Sequence, residues 1–365
     1  MPLPSSADLL AVPPGRVEAT RALLAALGGR RVVALSTHIN ADGDGCGSEA
    51  ALADLLAGAG HAPFVINPTP WPSAFDFLRD GVLDDRSPAG AGALARIDAL
   101  AVLDIGDVRR LGALTDAVRA LTVPKVVVDH HVPGDDPPGP VRLIDATACA
   151  TGELIFDLAV IAGWPISRHA AVALYTALLT DTGGFRFSNT SPRCHAIAGY
   201  LLSLGIDPEE MYRRVYASVP LGRLQLLRDA LGTLEIDQEH AIAWISVPAG
   251  AVERYGLRSE DLDGIVEHPR SIAGTRMAVF FRDLGHGKIK VSFRSTGAVD
   301  VNRFARDFGG GGHAKAAGAL IAGTLEDVRT RVVDAARAFV AAAPGGPPAP
   351  EPAATTADPA LPFGA

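Results

Sequence analysis

Cysteine is scarce: three in 365 residues, at Cys46, Cys149 and Cys194. An odd number without paired spacing supports neither a disulfide framework nor a thiolate zinc site, and it fits a reducing compartment. Charge is sparse too, at 20% of residues, with 33 Lys and Arg against 41 Asp and Glu and a net charge of −8. Without a broad basic surface the chain is not built to coat long duplex nucleic acid, although a local cluster can still hold a short anionic substrate. No apolar run is long enough and free enough of breakers to span a bilayer. The opening MPLPSSADLLAVPPG lacks the basic region of a signal peptide. The expectation is a cytoplasmic chain with no membrane partner.

What the chain does have is apolar residues, 48% of the total, enough for two domains with separate cores. RRVVALS (30–36), APFVIN (62–67), IDALAVLD (97–104) and KVVVDH (125–130) read as strands, with SEAALADLLAGAG (48–60) and HAAVALYTALLTD (169–181) as helices. Continuous apolar strands separated by helices predict an α/β fold with a parallel sheet. A second run of strand-like segments begins near 234 and closes with a helix over 324–343, with Thr324 as its N-cap. The expected organisation is an extension (1–17), a first domain (18–205), a helical connector (206–232), a smaller α/β domain (233–343) and a Pro/Ala-rich tail (344–365). Composition predicts that the tail is disordered.

In an open parallel sheet, ligands bind beyond the carboxyl ends of the strands. STHINADGDGCGS (36–48) follows the first strand with His38, Asp42 and Asp44. The third strand is followed by Asp104, the fourth by Asp129, His130 and His131, and the later helix by Asp181 in DTGGFRFSNT. Any one of these residues is explicable as a cap or a turn. Four distant segments delivering acid or imidazole to one rim are not. Asp42, Asp44, Asp104 and Asp181 brought together would repel, and two divalent cations carry the four charges that balance them. Carboxylate and imidazole without thiolate favour Mn²⁺, with Mg²⁺ or Co²⁺ as substitutes, over structural zinc. Such a pair suits phosphoester hydrolysis.

THINADGDGCGS, VLDIGD, VVDHH and LLTDTGGFRFSNT resemble, in order, the four motifs of the DHH phosphoesterase superfamily. FGGGGHAKAAGA resembles the glycine-rich signature of its accompanying DHHA1 domain. The likeness spans roughly residues 20–342, and it departs only at Ala41, where proline is frequent. It implies a parallel-sheet DHH domain and a smaller α/β DHHA1 domain with the active-site cleft between them. By the same resemblance His38, Asp42 and Asp104 hold one ion, while Asp44, Asp104, His130 and Asp181 hold the second. His131 then faces the substrate phosphate and Asp129 supports the histidines. Arg294, Ser295, Gly311 and His313 become substrate contacts, joined by Arg186, which lies beside Asp181.

The compact two-domain arrangement is similar to the oligoribonuclease (nanoRNase) and 3′-phosphoadenosine 5′-phosphate phosphatase group. It has no room for the extra domain of RecJ-type exonucleases and lacks the basic motif of family II pyrophosphatases. The partners implied are short RNA, dinucleotides and nucleotide bisphosphates, with a homodimer expected. A cyclic-di-AMP phosphodiesterase or a catalytically silent nucleotide-binding module are the alternatives.

Overall fold

The computed structural model describes residues 6–80, 83–262 and 264–344. The expected disordered tail from 345 onward, and residues 1–5, lie outside them. The chain divides into two units, Met1–Ser218 and Val219–Ala365. The division falls within the stretch read as a connector. Asp207 caps the helix Pro208–Tyr216, which belongs to the first unit, and Pro220 opens the helix Leu221–Leu231, which belongs to the second.

In the first unit β1 (Val32–Ser36), β2 (Ala62–Val65), β3 (Ala99–Leu103), β4 (Lys125–Asp129) and β5 (Val141–Ile144) form one sheet in the order β2-β1-β3-β4-β5. Every pairing is parallel. The apolar runs are continuous because helices cover both faces, and β3 is buried at all its positions. β5 escaped the sequence reading because VRLI is short and only its Leu143 is fully buried. The strand order reverses between β1 and β3, which is where a sheet of this order opens its ligand crevice.

The glycine-rich stretch after β1 is helical from Gly43 to Gly58, not from 48 as read. Asp42 caps it, accepting hydrogen bonds from the amides of Asp44 and Gly45. The glycines let this helix lie against the helix Arg168–Asp181. A Cβ on Gly47 would sit 2.5 Å from the Ala173 carbonyl oxygen, and one on Gly43 would sit 2.3 Å from Thr180 Cγ2. Close approach, not backbone flexibility, explains the GDGCG spacing.

The second unit holds β6 (Glu235–Asp237), β7 (Ile242–Val247), β8 (Met277–Asp283), β9 (Lys288–Ser295), β10 (Gly311–His313) and β11 (Ala316–Ala322). They form a mixed sheet in the order β10-β11-β9-β8-β7-β6, in which only β7 and β8 run parallel. Phe281 and Phe293 share one core with Val332 and Ala336 of the closing helix Leu325–Ala342. Thr324 caps that helix, as its sequence predicts. The glycine run leads into a hairpin, with Gly311 opposite Gly318 and His313 opposite Ala316. Among the described residues no helix is long and apolar enough to cross a membrane.

Candidate metal centre

Each strand end delivers what the sequence promised to the rim of the first sheet. His38 Nε2 lies 3.3 Å from Asp104 Oδ2 and 3.7 Å from Asp42 Oδ2. His130 Nε2 lies 3.7 Å from Asp44 Oδ2, 3.7 Å from Asp104 Oδ1 and 3.6 Å from Asp181 Oδ2. The two oxygens of Asp104 thus face two different histidines. Asp104 itself has φ of 61°, in the left-handed region that aspartate tolerates better than most residues. Three groups, His38–Asp42–Asp104, Asp44–His130–Asp181 and Asp104–His130–His131, each offer ligand atoms close enough to hold a metal ion, and the third shares a residue with each of the others.

The histidines are oriented from behind. Nδ1 of His38 is 2.9 Å from the Ile39 carbonyl oxygen, and Nδ1 of His130 is 3.3 Å from that of Ala148. A carbonyl can only accept, so both Nδ1 atoms carry a proton and Nε2 is the nitrogen that each ring can offer to a cation. Those two buried Nε2 atoms have no hydrogen-bond partner among the described residues. Buried polar nitrogens without a partner are costly, and a bound cation removes that cost. The donor set fits divalent metal.

The carboxylates show the same need. Burial, reinforced by repulsion from Asp104, Asp181 and Asp42, pushes the Asp44 carboxyl well above its ordinary range. Burial likewise raises Asp181 to about 6, and His130 only partly offsets it. Burial disfavours the charged form of His38, but the facing carboxylates of Asp104 and Asp42 outweigh it and lift the ring to about 10. A cluster that must otherwise take up protons to stay together is one that cations complete.

Several supporting groups were missed in the sequence. The amides of Thr151 and Gly152 donate to the two oxygens of Asp44 at 2.6 and 3.0 Å, and the Thr151 hydroxyl donates to Asp104 Oδ1 at 3.0 Å. Ser48 adds a fourth bond, to Asp44 Oδ1. Asn189 ties Asp181 Oδ2 to the Cys149 carbonyl. The only signal was a Thr-Gly-Glu opening a helix, which reads as an ordinary helix start.

His131 joins the same cluster, its ring centre 4.6 Å from that of His130 and its Nδ1 3.5 Å from Asp104 Oδ1, but it is supported differently. Its Nδ1 is 2.8 Å from Asp129 Oδ1, and that bond raises its pKa above the ordinary range. Among the described histidines the buried Asp129 supports His131 alone; it makes no bond to His130, whose Nδ1 faces the Ala148 carbonyl. Arg186 is exposed at the end of the Arg168–Asp181 helix, its Nε donating to the Gly183 carbonyl.

In the second unit, Arg294 lies on β9 with its Nε 2.9 Å from Glu267 Oε1. Ser295 is turned inward: its hydroxyl donates to the Val299 carbonyl at 2.7 Å, closing the loop before the helix Val301–Arg306. Gly311 is exposed on the edge strand, and the adjacent Gly312 amide is held by Asn302 Oδ1. The side chain of His313 lies outside the described residues.

Behind His38, Glu49 is fully buried with Oε2 accepting from Asn67 Nδ2 at 2.8 Å, while Asn67 Oδ1 accepts the Thr37 amide. Burial pushes the Glu49 carboxyl up to about 8 from an ordinary 4.5. The folded state therefore favours the proton. That contribution is complete below pH 4.5 and is lost as pH rises toward 8. Glu49→Gln, which mimics the protonated acid, should match wild type in urea denaturation near pH 4.5 and exceed it by roughly 3 kcal/mol at pH 8. Parallel pH profiles for the two proteins would refute the buried neutral acid.

The parallel sheet carries a metal-competent rim at its switch point. Family models match residues 32–178 as the DHH family, N-terminal domain, and residues 244–342 as the DHHA1 domain. The chain belongs to the DHH family. It is 30% identical over 309 residues to the bifunctional oligoribonuclease and PAP phosphatase NrnA of Thermus thermophilus, covering 83% of this chain and 88% of that protein. The Bacillus subtilis protein of the same name is 29% identical, covering 79% and 89%. Among solved structures, an exopolyphosphatase-related protein from Bacteroides fragilis superposes with a TM-score of 0.83 at 27% identity, covering 88% of this chain and 96% of its own. RecJ of Thermus thermophilus in complex with Mn²⁺ shares the fold, with a TM-score of 0.50 at 20% identity, covering 92% of this chain and 56% of its own.

Proposed function

We propose that the chain hydrolyses short RNA oligonucleotides and linear dinucleotides, and removes the 3′-phosphate of 3′-phosphoadenosine 5′-phosphate, with two divalent cations. Mn²⁺ suits the carboxylate and imidazole donors best. The observation that carries this reading is Asp104, whose two carboxylate oxygens face His38 on one side and His130 on the other. His38, Asp42 and Asp104 would hold one ion, and Asp44, Asp104, His130 and Asp181 the other. Cations bound there supply charge stabilisation at the attacking and leaving oxygens of an in-line displacement and acidify a water for attack.

The remaining work falls to the chain's own groups. The Thr151 and Gly152 amides hold Asp44 in place, so its carboxylate does not reorganise during the reaction. His131, with Nδ1 on Asp129, would face a phosphate oxygen of the substrate. In the second unit Arg294 and the exposed Gly311 backbone, with His313, would serve nucleotide binding, whereas Ser295, buried with its hydroxyl on the Val299 carbonyl, shapes the loop instead of meeting substrate. The negative net charge agrees with a substrate of a few nucleotides instead of a long duplex. A homodimer and a cytoplasmic location complete this reading.

The test is release of product by the purified protein with Mn²⁺ from five substrates in parallel. They are a linear RNA dinucleotide, a five-residue RNA, 3′-phosphoadenosine 5′-phosphate, cyclic di-AMP and pyrophosphate. Turnover of the dinucleotide and the bisphosphate is expected. Turnover of pyrophosphate alone, or of cyclic di-AMP in preference to the linear dinucleotide, would overturn the reading.

A further inference from the structure

Phe187 is 51% exposed, although it lies in the turn that directly follows the candidate ligand Asp181. Its backbone is held in place. The Phe187 amide donates to the Thr182 carbonyl, and its own carbonyl accepts the Thr190 amide, both at 3.0 Å. One face of the ring lies on Gly183. A Cβ at Gly183 would be 2.4 Å from Cζ and 2.6 Å from both Cε atoms, distances so nearly equal that the glycine must sit over the ring's face. Gly183 has φ of 58°, so the backbone favours glycine there as well as the space. The outer side of the ring is left to solvent.

Its surroundings point to one kind of ligand. Arg186 Nε donates to the Gly183 carbonyl, which anchors an exposed guanidinium beside the ring. Tyr216, 36% exposed, approaches Gly184 and is pinned by its hydroxyl on the Leu179 carbonyl; Tyr212, 57% exposed, lies 5.4 Å from it, ring centre to ring centre. Gly183 follows Asp181 by two residues, at most about 7 Å of chain. An aromatic face, a cation and a phosphate-handling rim within one nucleotide's length suit a nucleobase with its phosphate.

We infer that Phe187 is a stacking platform for a nucleobase of the substrate, with Arg186 beside the adjoining phosphate. This rests on the nucleotide reading above and deepens it. One face of the ring is already packed on Gly183, which lowers the entropic cost of stacking on the other. Every base has a π-face, so the platform tolerates any sequence, as a scavenger of short RNA requires.

The experiment compares wild type, Phe187→Leu and Phe187→Trp on a linear RNA dinucleotide carrying 2-aminopurine. Steady-state kinetics are measured together with stopped-flow quenching of the 2-aminopurine fluorescence. Leucine keeps an apolar side chain but has no π-face. Phe187→Leu should raise KM about tenfold, a loss of about 1.4 kcal/mol, and abolish the fast quench, while Phe187→Trp restores both. Unchanged KM and quench in Phe187→Leu, with wild type active on the dinucleotide, would overturn the platform and leave the nucleotide reading standing. Wild type that neither binds nor cleaves the dinucleotide would overturn both. A sedimentation change in Phe187→Leu with KM unmoved would assign the ring to contact between copies and also overturn the platform.

Discussion

Asp104→Asn lowers phosphoester hydrolysis by about a thousandfold, or roughly 4 kcal/mol of barrier. The geometry makes this the most damaging single change at the rim. Asp104 Oδ2 is 3.3 Å from His38 and Oδ1 is 3.7 Å from His130, so one carboxylate stands between the two histidines. Asparagine is the informative substitution. Asp104 sits at φ of 61°, where asparagine is tolerated and alanine would add about 1 kcal/mol of backbone strain. Its amide also keeps an acceptor for the Thr151 hydroxyl, which Asp104 Oδ1 now provides. Loss of activity with an unchanged urea midpoint then reports the charge and not the fold. Equilibrium dialysis against Mn²⁺ should find fewer than two ions per chain in the variant. Activity within tenfold of wild type would sink the bridging role.

Arg16→Met destabilises the first unit by about 3–5 kcal/mol, the usual cost of breaking a buried ion pair from one side. Arg16 is 5% exposed and holds Asp145 and Glu153 at 2.6 Å and Asp157 at 2.9 Å. Glu153 and Asp157 are almost fully buried and also share Arg193. With Arg16 gone, two buried carboxylates face one guanidinium. The damage extends to the rim through Glu153 Oε2, which accepts the Cys149 amide at 2.9 Å. That bond shapes the turn whose next amides, of Thr151 and Gly152, hold Asp44. Metal affinity should therefore fall 10- to 100-fold, as for other groups that orient a ligand. Urea denaturation and dialysis check the two effects separately. Arg16→Met combined with Asp157→Leu should recover part of the stability, because the unpaired charge is then removed. A single-variant loss under 1 kcal/mol would show that the network contributes little.

The strands were legible because a parallel sheet covered on both faces needs unbroken apolar runs, and β1, β3 and β4 have them. The rim of acid and imidazole was legible for a related reason. Aspartate and histidine placed directly after such runs have no structural use for so much charge, and the family motifs then ordered them. Other features depended on contacts distant in sequence. β5, half-exposed and four residues long, carries no pattern that separates it from a loop. The GDGCG stretch reads as a loop until the helix Arg168–Asp181 is laid against it and its glycines become points of close contact.

By itself the sequence determined the fold class, the acid and imidazole set, and the order of the motifs, since all three lie in local apolar runs and in the residues directly after them. The tertiary structure alone decided how that set is held. Thr151 reaches Asp44 and Asp104 across 107 and 47 residues of chain. Arg16 reaches Glu153 across 137. Hydrogen bonds of this kind leave no periodicity in the sequence, because each is made between single residues that folding brings together.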